Sequence, residues 1–550
     1  MSTTMAERLV EQEAQYVTSG VVRLTRPQLV GTVTGLLLGA LLAAIDQTIV
    51  GTAEPRIIAS LSGFDRYPWV ATAYLLTSTL SVPIFSSLSD MHGRKPFFLS
   101  GCILFVTASA LCGMAGTLTF VPFDGMGQLI VFRSLQGVGA GMVMGLLFTI
   151  IGDIFSPSER GYYVGLFSAV WGISSIFGPT LGGWLTDQWS WRACFWVNLP
   201  IGAIAVAAIY FEFPYMKPHG AARRVDWPGF GALIACVSPI LLALTWATQY
   251  GWGSARVLSL LVIGAVMFAA FLAVESRAAE PMIPLGLFND SVIAICSICA
   301  FVMGVGMFGV IMYLPLFMQG VLGVSATASG GLLTPLMLGA VFGSFLSGQI
   351  VSRTGRYKWV AVVGSVLVAA GMVVFARIDD TVIPSYVAAG MVVAGLGMGL
   401  VQPVYTVAVQ NVAPRRQMGA ATSLTLFFRS IGSTVGVAAF GSLMLTRYHA
   451  EFSAAVPDHA PSDLRLYFEN PLLLVQMRPQ IEARVAEMPG GQAALDHLFA
   501  AVKTALAHGL KLVFFWSAVM MMVAVLVHVA LRSEPLRTTM TGPDPAPAMH

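Results

Sequence analysis

Apolar residues run through this chain in long unbroken stretches separated by short polar punctuation, instead of alternating with polar ones. A bilayer core is crossed by about 20 helical residues. On that measure the runs predict helices near 29–53, 68–89, 97–118, 128–152, 162–186, 193–213, 228–248, 256–275, 291–316, 326–350, 358–376, 384–410, 419–446 and 510–531. Strands of a membrane barrel would alternate apolar and polar positions. Hydrocarbon leaves no water to satisfy an open backbone, so unbroken runs mean helices. One connection, 447–509, is long and polar. Its segments 462–477 and 480–507 mix apolar and charged residues at helical spacing, so they form either short amphipathic helices on a membrane face or a plain solvated loop.

Composition agrees with lipid as the solvent: 56% of the 550 residues are hydrophobic and 10% charged, against roughly a quarter charged in a soluble domain. The expected fold class is all-α integral membrane. Cytosolic loops are enriched in Lys and Arg. With the first 26 residues placed in the cytosol, seventeen basic residues fall inside (among them Arg94, Lys95, Arg160, Arg353, Arg356, Arg415 and Arg532) against five in the short outer loops (Arg56, Arg66, Arg192, Arg256 and Arg377). Both termini are then cytosolic, which requires an even number of spans. Residues 1–26 carry acids and bases with no apolar core and read as a cytosolic tail, not a signal peptide. The net charge of +3 is dispersed over short loops, so no nucleic-acid partner is expected. All six cysteines, Cys102, Cys112, Cys194, Cys236, Cys296 and Cys299, lie in apolar runs and should pack as small hydrophobes, including the Cys296/Cys299 pair.

Between the second and third spans the chain reads Ser86-Ser-Leu-Ser-Asp90-Met91-His-Gly93-Arg94-Lys95-Pro96, a tight turn with one acid and two bases. Gly93 supplies the turn, and an Asp/Arg pair can lock helix ends through charge-assisted bonds. A related turn at Gly348 to Lys358 lacks the acid, and Gly355 stands 262 positions after Gly93. That spacing points to two homologous halves around a central site. The fourth span holds Arg133-Ser-Leu-Gln136-Gly-Val-Gly139-Ala140. A guanidinium in the apolar layer is costly unless it meets a partner or a polar cavity, which makes Arg133 a functional candidate, and Gln136 follows one turn along the same face. The fifth span holds Gly178-Pro179-Thr-Leu-Gly182-Gly183, small residues that allow close backbone approach, with a proline that weakens the helix.

These three stretches together resemble the major facilitator superfamily, with its G-x-x-x-D-R-x-G-R-K loop, its R-x-x-Q-G-x-G-A span and its antiporter G-P-x-x-G-G span. Ser86 and Met91 depart from the loop pattern. Together with fourteen spans, they look like the drug:proton antiporter branch of that family. The resemblance implies two six-helix bundles, 29–213 and 281–531, with two inserted helices in 214–280, between cytosolic tails at 1–28 and 532–550; the second bundle includes the loop 447–509. The first span, Ile45-Asp46-Gln-Thr-Ile-Val-Gly-Thr-Ala-Glu54-Pro55, also resembles that branch, where an acid at the position of Asp46 carries substrate or proton coupling and the arginine at Arg133 modulates it.

A carboxylate in a low-dielectric cavity favours its protonated form, which is what proton coupling needs. Asp46 is read as a coupling acid or as a hydrogen-bonded structural one. Glu54 lies eight positions on, about two turns away, and either shares an aqueous pathway with Asp46 or caps the outer end of its helix. Arg429 is the other clear intramembrane charge, open to an anionic headgroup, to substrate or to a partner in the bundle. Gln136, Trp171, Tyr313, Gln319, Gln402 and Tyr405 are candidate substrate contacts. Asp153 is expected to help latch the inner side of the fourth span. The eight histidines are dispersed and no P-loop occurs, so neither an enzyme nor an ATP-driven pump is expected, and no cofactor or metal site is foreseen. The reading is a proton-coupled secondary exporter of small amphipathic or cationic compounds, in contact with membrane lipid, monomeric and multi-pass in a bacterial inner (plasma) membrane. The alternative is export of a specific lipid, metabolite or siderophore on the same fold.

Overall fold

The structure, a computed structural model, describes residues 24–119, 121–155, 157–215, 226–278, 281, 283–377, 384–414, 418–455 and 491–532. Fourteen long helices account for nearly all of them: α1 Arg26–Leu61, α2 Tyr67–His92, α3 Arg94–Gly113, α4 Gly125–Ile154, α5 Pro157–Gln188, α6 Ala193–Glu212, α7 Trp227–Tyr250, α8 Ala255–Glu275, α9 Ser291–Gly320, α10 Ala326–Thr354, α11 Lys358–Ala376, α12 Pro384–Val412, α13 Met418–Ala455 and α14 Gly491–Val529. Each predicted span is one of these helices. Among the described residues thirteen are long and apolar enough to cross a membrane; the fifth helix, α5, is 32 residues long.

Helix starts follow the polar punctuation. Asp124, Asp226, Ser254, Asp290 and Ser325 each accept a hydrogen bond from a backbone N–H of the first turn they precede, satisfying donors that the helix itself cannot. Gly93, between α2 and α3, takes φ 97°, a backbone state in which a side chain would be strained.

Several elements extend beyond the sequence expectation; α13 runs past 446 to Ala455. Helix α1 continues through Pro55 to Leu61, because an interior proline removes one backbone bond without ending a helix whose flanks are packed. Glu54 is therefore a mid-helix residue and not an end cap. Helix α14 begins at Gly491, so the described part of the expected segment 480–507 is continuous with the last span and is no separate surface helix. The segment 462–477 lies outside the described residues.

By internal packing the chain resolves into two units, the described residues of Met1–Val50 with Leu76–Val225, and those of Gly51–Leu75 with Asp226–His550. The core of the first draws Leu36 and Ala40 of α1, Phe98 and Cys102 of α3, Leu146 and Ile150 of α4, and Ile209 of α6 into one cluster. In the second, α10 and α11 pack on α12, α9 packs on α13 and α14, and the inserted pair α7 and α8 pack on each other with α7 against α13. All six cysteines are buried free thiols.

Candidate transport site

Asp46 lies near the middle of α1 and is fully buried. Its Oδ2 accepts from Arg133 Nη1 of α4 at 2.5 Å, and its Oδ1 accepts from Gln136 Nε2 at 2.8 Å and from Asn198 Nδ2 of α6 at 3.1 Å. The one-turn spacing of Arg133 and Gln136 lets Arg133 Nη1 donate to Gln136 Oε1 as well, at 2.8 Å. Asn198 Nδ2 also donates to Ser109 Oγ of α3, whose hydroxyl donates to the Phe195 carbonyl at 2.9 Å. Three helices, α1, α4 and α6, thus meet at one carboxylate, and α3 joins the network through Ser109. The ion pair is bonded on both sides, which is the condition under which a buried pair offsets its desolvation cost.

Close approach of the helices is needed for that convergence. A Cβ on Gly139 of α4 would stand 2.7 Å from the Phe105 backbone nitrogen and 2.9 Å from the Gly101 carbonyl oxygen of α3, so only glycine lets those backbones meet. A Cβ on Gly178 of α5 would overlap the Thr48 hydroxyl, which donates to the Ser174 carbonyl at 3.2 Å. Pro179, Gly182 and Gly183 follow, all buried on α5, and the Gly182 carbonyl accepts from the Thr186 hydroxyl at 2.7 Å. The sequence signature of α5 is therefore a packing surface for α1 just beyond Asp46.

Glu54, expected beside Asp46, has different neighbours. It is buried and lies within electrostatic reach of the buried hydroxyls of Tyr67 on α2 and Tyr313 on α9. The Tyr67 hydroxyl donates to the Met312 carbonyl at 3.3 Å and the Tyr313 hydroxyl to the Val437 carbonyl at 2.7 Å, and their rings stack with centroids 5.5 Å apart. Gln319 Nε2 donates to the Thr52 carbonyl at 2.9 Å. Gln319 thus ties the last part of α1 to α9, while Tyr313 bonds α13 and stacks on Tyr67.

The turn before α3 is tied to the end of α4 through Asp153. Arg94 Nε bonds Asp153 Oδ2 at 3.0 Å, tying the start of α3 to the end of α4, and its Nη1 donates to Ser89 Oγ at 2.7 Å. Lys95 Nζ donates to the Tyr210 carbonyl of α6 at 2.8 Å. The side chain of Asp90 lies outside the described residues.

Of the other candidates, Trp171 is half-buried on α5. Gln402 of α12 accepts from Arg429 Nη1 of α13 at 2.5 Å. Tyr405, one turn on, meets His528 Nε2 of α14 at 3.1 Å with the two rings stacked at 5.6 Å. His528 Nδ1 faces the Ala524 carbonyl at 2.7 Å; a carbonyl only accepts, so Nδ1 carries the proton and the neutral ring accepts from Tyr405 at Nε2. Sequence reasoning missed Asn198, Ser109 and His528. Asn198 had a signal, as an amide inside an apolar span; the other two are visible only once the helices are packed.

Residues 36–437 match the model of the Major Facilitator Superfamily. The multidrug transporter protein MdtP of Bacillus subtilis (strain 168) is 36% identical over 495 residues, covering 88% of this chain and 89% of that one. Multidrug resistance protein 3 of the same organism is 37% identical over 414 residues, covering 75% and 78%. Among solved structures, a bacterial homologue of the human lysosomal transporter Spinster, inward-facing and unoccupied, aligns with a TM-score of 0.60 at 16% identity, covering 93% of this chain and 100% of that one. At such identity the likeness concerns the fold.

Proposed function

The chain belongs to the Major Facilitator Superfamily, and we propose that it is a proton-coupled exporter of small amphipathic compounds, set in a bacterial inner membrane with both termini in the cytosol. That it is a multi-pass transporter with relatives named for multidrug efflux supports the reading. The observation that carries it is the Asp46–Arg133 pair with its two amide partners.

A charged Asp46 holds Arg133, Gln136 and Asn198 and so ties α1 to α4 and α6. A proton reaching Asp46 removes the charge that binds the guanidinium, while the bond from Arg133 to Gln136 remains. The helices are then free to repack, and an opposite charge or dipole on a substrate competes for the same groups. Proton and substrate exclude one another at one carboxylate, which is the minimum requirement for exchange. Glu54, between Tyr67 and Tyr313, is a second acid available for protonation where α1 meets α9. Arg94 with Asp153 fastens α3 to α4 at the cytosolic side of the proposed topology.

The test is uptake of a fluorescent lipophilic cation into inverted proteoliposomes under an imposed pH gradient, with Asp46→Asn beside the natural protein. Gradient-dependent movement by the natural protein, lost in the variant, is the expected result. Equal gradient dependence in both would remove Asp46 from coupling.

A further inference from the structure

Arg429 presents a contrast with Arg133 that the proposed cycle does not use. It sits about three turns inside α13, yet its side chain is only partly covered. Among the described residues its polar partner is the Gln402 side-chain oxygen, and it forms no ion pair there. Arg133 also bonds a glutamine but has Asp46 in addition. A guanidinium carries five N–H donors in a planar fork matched to a carboxylate. One neutral amide oxygen engages a single donor and cancels no charge, so a cation kept at this depth is complete only when an anion meets it.

The surroundings of the fork suit an anion attached to an apolar body. Tyr405 is within electrostatic reach of Arg429, Cys296 and Cys299. Its hydroxyl is committed to His528, so it offers a ring face and not a hydroxyl donor. Cys296 and Cys299 are buried thiols of α9, and Phe428, next to Arg429, packs edge-on against Phe288. Thr425 and Ser433, buried one turn to either side of Arg429, donate their hydroxyls to the Thr422 and Arg429 carbonyls, so the donors available there to a carboxylate are the Arg429 fork and the Gln402 amide.

We propose that Arg429 and Gln402 form a recognition subsite for the carboxylate of an amphipathic acid, so that the cargo range of this exporter includes organic anions as well as cations. The Gln402 oxygen orients the fork, and the Gln402 amide N–H groups add donors to the bound carboxylate. This rests on the transport reading above, although binding at the subsite requires no proton gradient. A lipid phosphate has the same oxyanion chemistry and is the competing source.

The test is equilibrium binding of the fluorescent acid 9-anthroate, beside its uncharged carboxamide, to the detergent-solubilised full chain. A bidentate charge-assisted contact predicts at least about a tenfold preference for the acid. Arg429→Gln should abolish the preference, and Arg429→Lys, which keeps the charge but not the fork, should retain part of it. Gln402→Glu supplies an internal carboxylate; it should abolish the preference while raising the melting temperature, which separates loss of the site from loss of the fold. Equal affinity of the natural protein for both ligands, or a preference that survives in Arg429→Gln and Gln402→Glu alike, overturns the proposal. So does displacement of anthroate by phosphatidylglycerol at equal mole fraction, which would assign the subsite to a lipid headgroup. Failure here leaves the Asp46→Asn experiment unaffected, since that experiment reads coupling and uses a cation.

Discussion

Asp46 shows how much one side chain can be asked to hold. Replacing it with asparagine preserves the shape and part of the bonding but removes the carboxylate charge that Arg133 pairs with, and breaking a buried pair from one side costs about 3–5 kcal/mol. Asp46→Asn should therefore lower the melting temperature in detergent, and the double variant Asp46→Asn/Arg133→Gln should recover most of the loss without recovering export. A double variant as unstable as the single one would show that the pair is not what the charge was stabilising. Asn198→Ala removes bonds to both Asp46 and Ser109 and leaves their oxygens short of a donor, at about 1–3 kcal/mol, again read by melting. The charged members of this network were legible because lipid makes every intramembrane charge conspicuous. The serine and the histidine were not, since either is also tolerated on an apolar helix facing another helix, and only packing shows which use it has.

At the scale of the helix, contact between α3 and α4 depends on backbone approach at Gly139. Valine there has no room against Phe105 and Gly101, and overpacking of this kind costs about 1–3 kcal/mol. Gly139→Val should lower the melting temperature and depress transport together, because α4 carries Arg133 and Gln136. Gly231→Ala on α7 is the matching control: nothing stands within 4 Å of its added Cβ, so it should leave stability equal or slightly raised through helix propensity. Helix existence and order were readable from apolar run length. Helix ends were less so: α1 passes Pro55 and α14 starts at Gly491, because continuation is decided by whether the flanking turns are packed, and no local signal records that.

At the scale of the whole chain, the proposed orientation makes a direct prediction. The native cysteines are all buried and should stay silent to a membrane-impermeant maleimide. Gly253→Cys, exposed between α7 and α8, should then label in intact cells, whereas Thr354→Cys, exposed at the end of α10, should label only after permeabilisation. The reverse pattern would invert the topology and with it the direction of export. The packing units add a feature that no hydropathy pattern contains, for residues 51–75 group with the helices after Asp226 and not with their own sequence neighbours. Asp46 and Glu54, eight positions apart on one helix, consequently have unrelated partners.

The sequence by itself determined the solvent, the number and order of the helices, the family, and which charges needed explaining. The family follows from the resemblance of its three signature stretches; the rest follows from the cost of placing polar groups in hydrocarbon, a cost that accrues residue by residue along the chain. The tertiary structure decided which polar groups meet: Asp46 with Arg133 across 87 positions and with Asn198 across 152, Arg94 with Asp153, Arg429 with Gln402. Burial is a sum that composition can approximate, but a hydrogen bond is directional and short. Its partner is chosen only when helices distant in sequence are brought to within about 3 Å of each other.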